Sequence, residues 1–285
     1  MELLRTVAEL RRWSRALRGK GRNDGGHPFG LVPTMGALHA GHASLIRAAA
    51  ASCGRVAISI FVNPTQFGPN EDYARYPRTF EADCALAKTE GADAVFAPSV
   101  EELYPAGAAT FVEVEGLSNR LDGASRPGHF RGVATVVAKL LIASEADRAF
   151  FGQKDAAQVA VLRRMVADLR LSAEIVVCPI VREPDGLALS SRNLFLSASE
   201  RAQALVLSRA VRQAEALAAA GERRSSALIA AAQRSFAAVP EVRIDYIAAV
   251  DWATLDPVEI APPGTLFAVA AWVGQTRLID NTILN

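Results

Sequence analysis

Cysteine and histidine are both scarce. The three cysteines, Cys53, Cys84 and Cys178, are odd in number and far apart, with no Cys-x-x-Cys spacing. Neither a zinc knuckle nor a disulfide framework is indicated, and a reducing, cytoplasmic setting is the natural expectation. Long apolar runs are also missing. Charges interrupt each run well before the 18 residues that a membrane-spanning helix needs, so no membrane association is expected. Neither charge dominates: Lys plus Arg number 31 against Asp plus Glu 30, for a net charge of +1. That balance lacks the basic footprint of a nucleic-acid binder and speaks against tRNA as a partner.

What remains is a composition of 51% hydrophobic and 21% charged residues over 285 positions, enough chain for two domains with a real core. The first 21 residues are Arg-rich and amphipathic. Glu2 and Glu9 argue against a transit peptide, and Leu3, Val7, Leu10 and Trp13 fall at helical spacing, which predicts a first structural helix.

From residue 28 to about 180, short apolar segments alternate with helical ones. Strands are expected at Phe29–Pro33, Val56–Val62, Ala94–Ala97, Thr110–Val114, Arg148–Phe151 and Glu174–Val177, with helices at 41–52, 79–90, 132–144 and 156–170. Such alternation predicts an α/β fold, a doubly wound parallel sheet covered on both faces, with ligands beyond the carboxyl ends of its strands. After a Pro184-Asp185-Gly186 turn the order changes to helices near 198–220 and 224–237, then strands at 242–250, 265–273 and 276–280. A second, smaller α+β domain is therefore expected over 181–285, after a first domain of 1–180.

The most informative stretch is LVPTMGALHAGH, from Leu31 to His42. An apolar strand, a Met35-Gly36 turn and a helix start make an anion site, because backbone N–H groups and the helix dipole point at the ligand. His39 and His42 are three apart and would be neighbours in the first helical turn. Two imidazoles there suit a phosphate whose charge grows during reaction. Helix capping and a metal pair are the alternatives, but zinc sites of this type place two His at i, i+4 around a Glu, and Ala40 stands between these two. Elsewhere, Phe150–Asp155 ends a strand and opens a helix, placing Lys154 where a point charge meets phosphate. The same residues fit Asp155 as a helix cap with Gln158 closing a capping box. Ser190-Ser191-Arg192 offers two hydroxyls and a guanidinium to a phosphate, and a cap at Ser197 with Glu200 follows it. Gln66, after a strongly apolar strand, is an uncharged amide suited to a hydroxyl or carboxylate.

His-Ala-Gly-His after Thr-Met-Gly resembles the HxGH signature of nucleotidylyltransferases and class I aminoacyl-tRNA synthetases. The fuller string, with SIFVNPTQF at 59–67, YPRT at 76–79, RPGHFRGV at 126–133, FFGQKD at 150–155 and LALSSRN at 187–193, is similar to the pantoate–β-alanine ligases. The resemblance implies a Rossmann-like first domain that binds ATP and pantoate and a smaller C-terminal lid. It also implies ATP-dependent condensation of pantoate with β-alanine through a pantoyl adenylate, with magnesium, in a homodimer. Transferred by position, His42, His39 and Lys154 are catalytic. ATP contacts fall on Met35, Gly36, His39, His42, Gly152, Lys154, Asp155, Val181, Leu189, Ser190, Ser191 and Arg192, and pantoate and β-alanine contacts on Gln66 and Gln158. Asp83 stands where the family keeps an acidic residue near the metal, although Ala82 and Leu86 replace polar neighbours seen in some relatives. Gln153 stands in place of the family's Glu. Arg126, His129 and Arg131 read as a gating or packing loop. A nucleotidylyltransferase that keeps AMP on its product would share the turn but gives no reason for Gln66 and Gln158. A truncated tRNA synthetase and a non-catalytic nucleotide-binding module are the other rivals.

Overall fold

The computed structural model describes residues 1–18, 27–68 and 73–285. It divides into two compact units, Met1–Gly152 with Val161–Cys178, and Gln153–Ala160 with Pro179–Asn285.

In the first unit the chain begins with strand β1 (Glu2–Leu4) and helix α1 (Val7–Arg18), then β2 (Phe29–Thr34), α2 (Ala40–Ser52), β3 (Arg55–Ile60) and α3 (Phe80–Thr89). It continues through β4 (Ala94–Phe96), the short α4 (Val100–Leu103) and α5 (Asp122–Ser125), α6 (His129–Ser144), β5 (Arg148–Gly152), α7 (Ala156–Asp168), which belongs to this unit from Val161 on, and β6 (Glu174–Cys178). The six strands are all parallel, in the order β1-β4-β3-β2-β5-β6. Numbered from β2, the central five follow the 3-2-1-4-5 order of a Rossmann-like doubly wound sheet, and the order reverses between β2 and β5. At that reversal the β2–β5 ladder stops at Leu31 and Ala149, while β2 stays paired with β3 as far as Thr34 and Ile60. Pro33, with no N–H to offer, sits in the half of β2 that is paired on one side only, where a proline costs least. The separation of strands at their carboxyl ends lies directly before the His39–His42 turn.

Two expectations need correction here. The first residues are not helical: Glu2–Leu4 pair in parallel with Ala94–Phe96, Leu3 is exposed, and the helix starts only at Val7. A Thr6–Glu9 capping box sets that start, with Glu9 Oε2 accepting from Thr6 N at 3.0 Å and Thr6 Oγ1 from Glu9 N at 3.1 Å. Of the predicted apolar stripe, Leu10 and Trp13 are buried. Positions 19–21 of the expected helix lie outside the described residues. Thr110–Val114, read as a strand, pairs with nothing in the sheet. Its alternation arises because Val114 is buried while Phe111 is exposed, and its backbone is satisfied by side chains: Val112 N donates to Thr135 Oγ1 (2.9 Å) and Val114 N to Ser118 Oγ (3.2 Å).

The second unit holds α8 (Ala198–Ala219), α9 (Ser225–Ala237) and an antiparallel sheet of β7 (Val242–Val250), β8 (Leu266–Val273) and β9 (Thr276–Ile283). Both helices pack on the sheet around Val206, Leu207, Val211, Leu228, Phe236 and Phe267. The expected Ser197–Glu200 capping box starts α8. Strand β9 runs three residues past its predicted end. Asp280 and Asn281 break the apolar pattern there, yet both are buried with partners of their own. Among the described residues no helix is long and apolar enough to cross a membrane.

Candidate active site

In the first unit, the turn between β2 and α2 is held at every step. Thr34 Oγ1 donates to Ser59 O (2.6 Å) and accepts from Gly36 N (3.2 Å). Gly36 and Ala37 both take the left-handed conformation, φ +85° and +51°. The N–H groups of Ala37 and Leu38 then go to Oδ2 and Oδ1 of Asp83, at 2.9 and 2.8 Å. His39 is the N-cap of α2, its Nδ1 accepting from Gly41 N at 3.1 Å, and His42 Nδ1 accepts from His39 N at 3.3 Å. The expectation that this turn offers open backbone donors to an anion is therefore corrected: those of Gly36, Ala37, Leu38, His39 and Gly41 already bind protein groups.

Both imidazoles take part in that capping. A ring nitrogen that accepts must lack a proton, so the neutral form of each histidine carries its proton on Nε2, the donor position away from the cap. The two rings lie 4.2 Å apart between centroids. Capping uses the Nδ1 edge of each ring.

Gln66 is brought to the same turn, its Nε2 lying 3.1 Å from Met35 Sδ. The residue that sequence reasoning missed is Asn63, 1% exposed. Asn63 Nδ2 donates to Gln66 Oε1 (3.0 Å) and Gly132 O (3.2 Å), while Oδ1 accepts from Tyr104 Oη (2.9 Å) and Thr65 Oγ1 (2.9 Å). Its oxygen held by Asn63 and its amide nitrogen donating to Met35 Sδ, the Gln66 side chain is fixed beside the turn. Asn63 N-caps the 3-10 turn Pro64–Gln66, and an Asn-Pro pair at that position is the signal that could have revealed it. Burial pushes the Tyr104 hydroxyl above its ordinary pKa, and its hydrogen bond to Thr65 offsets part of that rise. Arg126, His129 and Arg131 are not one loop, because α6 begins at His129. His129 Nδ1 donates to Gln66 O (2.8 Å) and Nε2 accepts from Arg126 Nη1 (2.9 Å), while Arg131 lies over the Phe111 ring. Through His129 this pair is tied to the Gln66 backbone, while Arg131 packs elsewhere.

In the second unit, a 3-10 turn, Gln153–Asp155, carries Lys154, whose Nζ is 3.8 Å from Asp155 Oδ1. Asn281 Nδ2 donates to the carbonyls of Gln153 (3.0 Å) and Lys154 (2.9 Å), and Asn281 Oδ1 accepts from Gln153 Nε2 (3.2 Å). A carboxylate at position 153 could not make that last bond, so the Gln found there fits this clamp. Gln158 follows in the first turn of α7. Val181 and Leu189 pair across the Pro184–Gly186 turn, Leu189 N donating to Val181 O at 2.9 Å. Ser190 then caps the 3-10 turn Ser191–Phe195 by accepting from Arg192 N at 3.3 Å. Below them Arg182 binds Asp280 bidentately (2.7 and 2.9 Å). Burial pulls that guanidinium's pKa down, and the pairing outweighs it, so the net change is upward.

No protein nucleophile is offered by the cysteines. Burial raises the pKa of Cys53, Cys84 and Cys178 alike. A raised pKa leaves less thiolate at any given pH. Iodoacetamide at pH 8 should therefore modify the native protein far more slowly than the denatured chain, and should do so without loss of activity. Rapid inactivation would reveal a reactive thiol.

Magnesium is the cofactor that the resemblance implies. Among the described residues no group of three or more His, Cys, Asp or Glu could hold a metal ion. Asp83 is 2% exposed, and its two oxygens already accept from Ala37 N, Leu38 N and Thr79 Oγ1 (3.1 Å). Ala82 and Leu86 add no oxygen donor. A resident metal site at Asp83 does not fit.

The sequence profile described as Pantoate-beta-alanine ligase matches residues 2–283. The chain is 62% identical to the pantothenate synthetase of Acidobacterium capsulatum, covering 100% of this chain and 97% of the relative, and 55% identical to that of Koribacter versatilis, covering 100% of this chain and 96% of the relative. The crystal structure of pantothenate synthetase from Thermus thermophilus superposes with a TM-score of 0.92 at 48% identity, covering 99% of each chain. That of pantoate-beta-alanine ligase from Francisella tularensis, complexed with beta-gamma ATP and beta-alanine, gives 0.79 at 32% identity, covering 99% of this chain and 97% of the other.

Proposed function

The chain belongs to the pantoate–β-alanine ligase family, and from that premise we propose that it makes pantothenate in two steps through an enzyme-bound pantoyl adenylate. As in the family it is a ligase that uses ATP. The carboxylate of pantoate attacks the α-phosphorus of ATP, the bond to the β-phosphate oxygen breaks, and pyrophosphate leaves with that electron pair. The amine of β-alanine then attacks the acyl carbon, AMP departs, and the amine gives up a proton as the amide forms.

The observation that carries this reading is the pair of imidazoles at the sheet's reversal, 4.2 Å apart and each capping α2 through Nδ1, beside the Met35–Gln66 contact. His39 and His42 donate to the α-phosphate as its charge grows. Lys154 is assigned to the triphosphate as a point charge, with Gly36, Gly152, Asp155, Val181 and Leu189 placing backbone and side chain near the nucleotide. Ser190, Ser191 and Arg192 receive the departing pyrophosphate. Gln66 and Gln158 hold pantoate and β-alanine by amide hydrogen bonds. Magnesium bound to the phosphates of ATP would neutralise part of their charge, beside the point charge of Lys154. Because the substrate supplies its own nucleophile, catalysis is positioning and electrostatics. Residues 1–180 as the substrate domain, 181–285 as a lid, a cytoplasmic location and a homodimer complete the proposal.

The test is isotopic. With ATP, magnesium and pantoate alone, labelled pyrophosphate should exchange into ATP while little AMP appears. Adding β-alanine should release AMP and amide in equal amounts. Exchange that needs β-alanine from the outset would mean a concerted reaction, and an AMP-bearing product would mean a nucleotidylyltransferase.

A further inference from the structure

We propose that Asp83 is a positioning residue of the His39–His42 turn, acting through backbone hydrogen bonds and not through a metal. Ala37 sits at φ +51°, a left-handed region that a side-chain-bearing residue rarely adopts. Such backbone persists only where its surroundings over-determine it. Here they do. The two consecutive N–H groups of Ala37 and Leu38 point at one carboxylate, one to each oxygen, and Leu38 is the residue before the His39 cap. A Cβ on Gly36 would stand 2.9 Å from Asp83 Oδ2, so the carboxylate also packs against the turn.

Asp83 is itself fixed. It lies in the first turn of α3, where a negative charge meets the helix's positive end, its N–H donates to Thr79 O (2.8 Å), and Thr79 Oγ1 donates to its Oδ1. With those three bonds made and only 2% of it exposed, the carboxylate has no room for a hydrated cation. Helix α3 is thus a brace for the catalytic turn, and the acidic residue at this position works by shape.

The inference rests on the reading of His39 and His42 as adenylylating residues, which pyrophosphate exchange in the unaltered enzyme tests by itself. The variant Asp83→Asn keeps the size and replaces one acceptor oxygen with a donor facing a backbone N–H. Its exchange kcat should fall about tenfold from the misplaced turn, while the KM for ATP changes by less than about threefold. The magnesium concentration for half-maximal activity should stay at the unaltered enzyme's value. A raised magnesium requirement rescued by excess magnesium would make Asp83 a metal ligand and overturn the proposal, as would an unchanged kcat. If Asp83→Asn does not fold, amide exchange of the unaltered protein decides. Ala37 and Leu38, although in a turn, should be protected, and exchange at intrinsic rates would overturn the inference.

Discussion

Replacing His42 with alanine should lower turnover by about 100-fold or more, the scale for deleting one stabiliser of transition-state charge. ATP affinity should change far less, because the imidazole matters most when charge has built up on the α-phosphate. The structure also says what else the substitution removes. His42 Nδ1 accepts from His39 N, so alanine deletes half of a capping box, worth about 0.5–2 kcal/mol. A small loss of stability is therefore expected beside a large loss of rate, and His42→Gln separates the two. A glutamine at the third helical position can close the capping box again, so stability should recover. Turnover should not, since the amide does not reproduce the Nε2–H donor in place. Measuring kcat, ATP binding by calorimetry and thermal midpoints on both variants decides it. Near-normal turnover in His42→Ala would end the charge-stabilising assignment.

How much of this could be read from the sequence depends on the distance over which each residue is satisfied. The Met35-Gly36 turn, the His39 cap and the Ser197–Glu200 box involve partners within a few positions, and all three were legible. Thr110–Val114 was misread because two of its backbone N–H groups are met by Thr135 and Ser118, so a strand-like alternation exists without a ladder. Strand β1 is three residues long and depends on Ala94–Phe96, far too distant to show in a local pattern. The polar core residues were the hardest. Asp83 could be singled out by type, yet its role depends on N–H groups 45 and 46 positions upstream. Asn281 binds carbonyls more than 120 positions away, and from sequence it falls just past the expected end of a strand at 280. Asn63 and Gly132 are 69 positions apart and meet only in the fold.

Gly132→Ala should then be damaging at a position where local rules predict gain. Within a helix such as α6, alanine is favoured over glycine by about 1 kcal/mol. A Cβ on Gly132, however, would lie 2.3 Å from Thr65 O, 2.5 Å from Thr65 C and 2.6 Å from Gln66 Cα. All three are backbone atoms, so no rotamer change relieves the clash, and α6 and the Pro64–Gln66 turn must separate. Overpacking of this kind costs about 1–3 kcal/mol. Separation also strains the bonds from Asn63 to Gly132 O and from His129 to Gln66 O, worth about 1 kcal/mol each. The loss outweighs the helical gain by roughly 2 kcal/mol, a fall of about 3 °C in thermal midpoint for a chain of 285 residues. The functional signature follows from what moves. Gln66 is displaced while His39 and His42, held by Asp83 and by each other, keep their places. The KM for pantoate or β-alanine should rise about tenfold, with ATP binding nearly unchanged, because the site loses an amide hydrogen bond and not a charge. Thermal melts and substrate-by-substrate titrations would check both halves. A variant as stable as the parent would show that the two backbones part without cost, and an effect on ATP alone would mean that Gln66 does not face the acid or the amine.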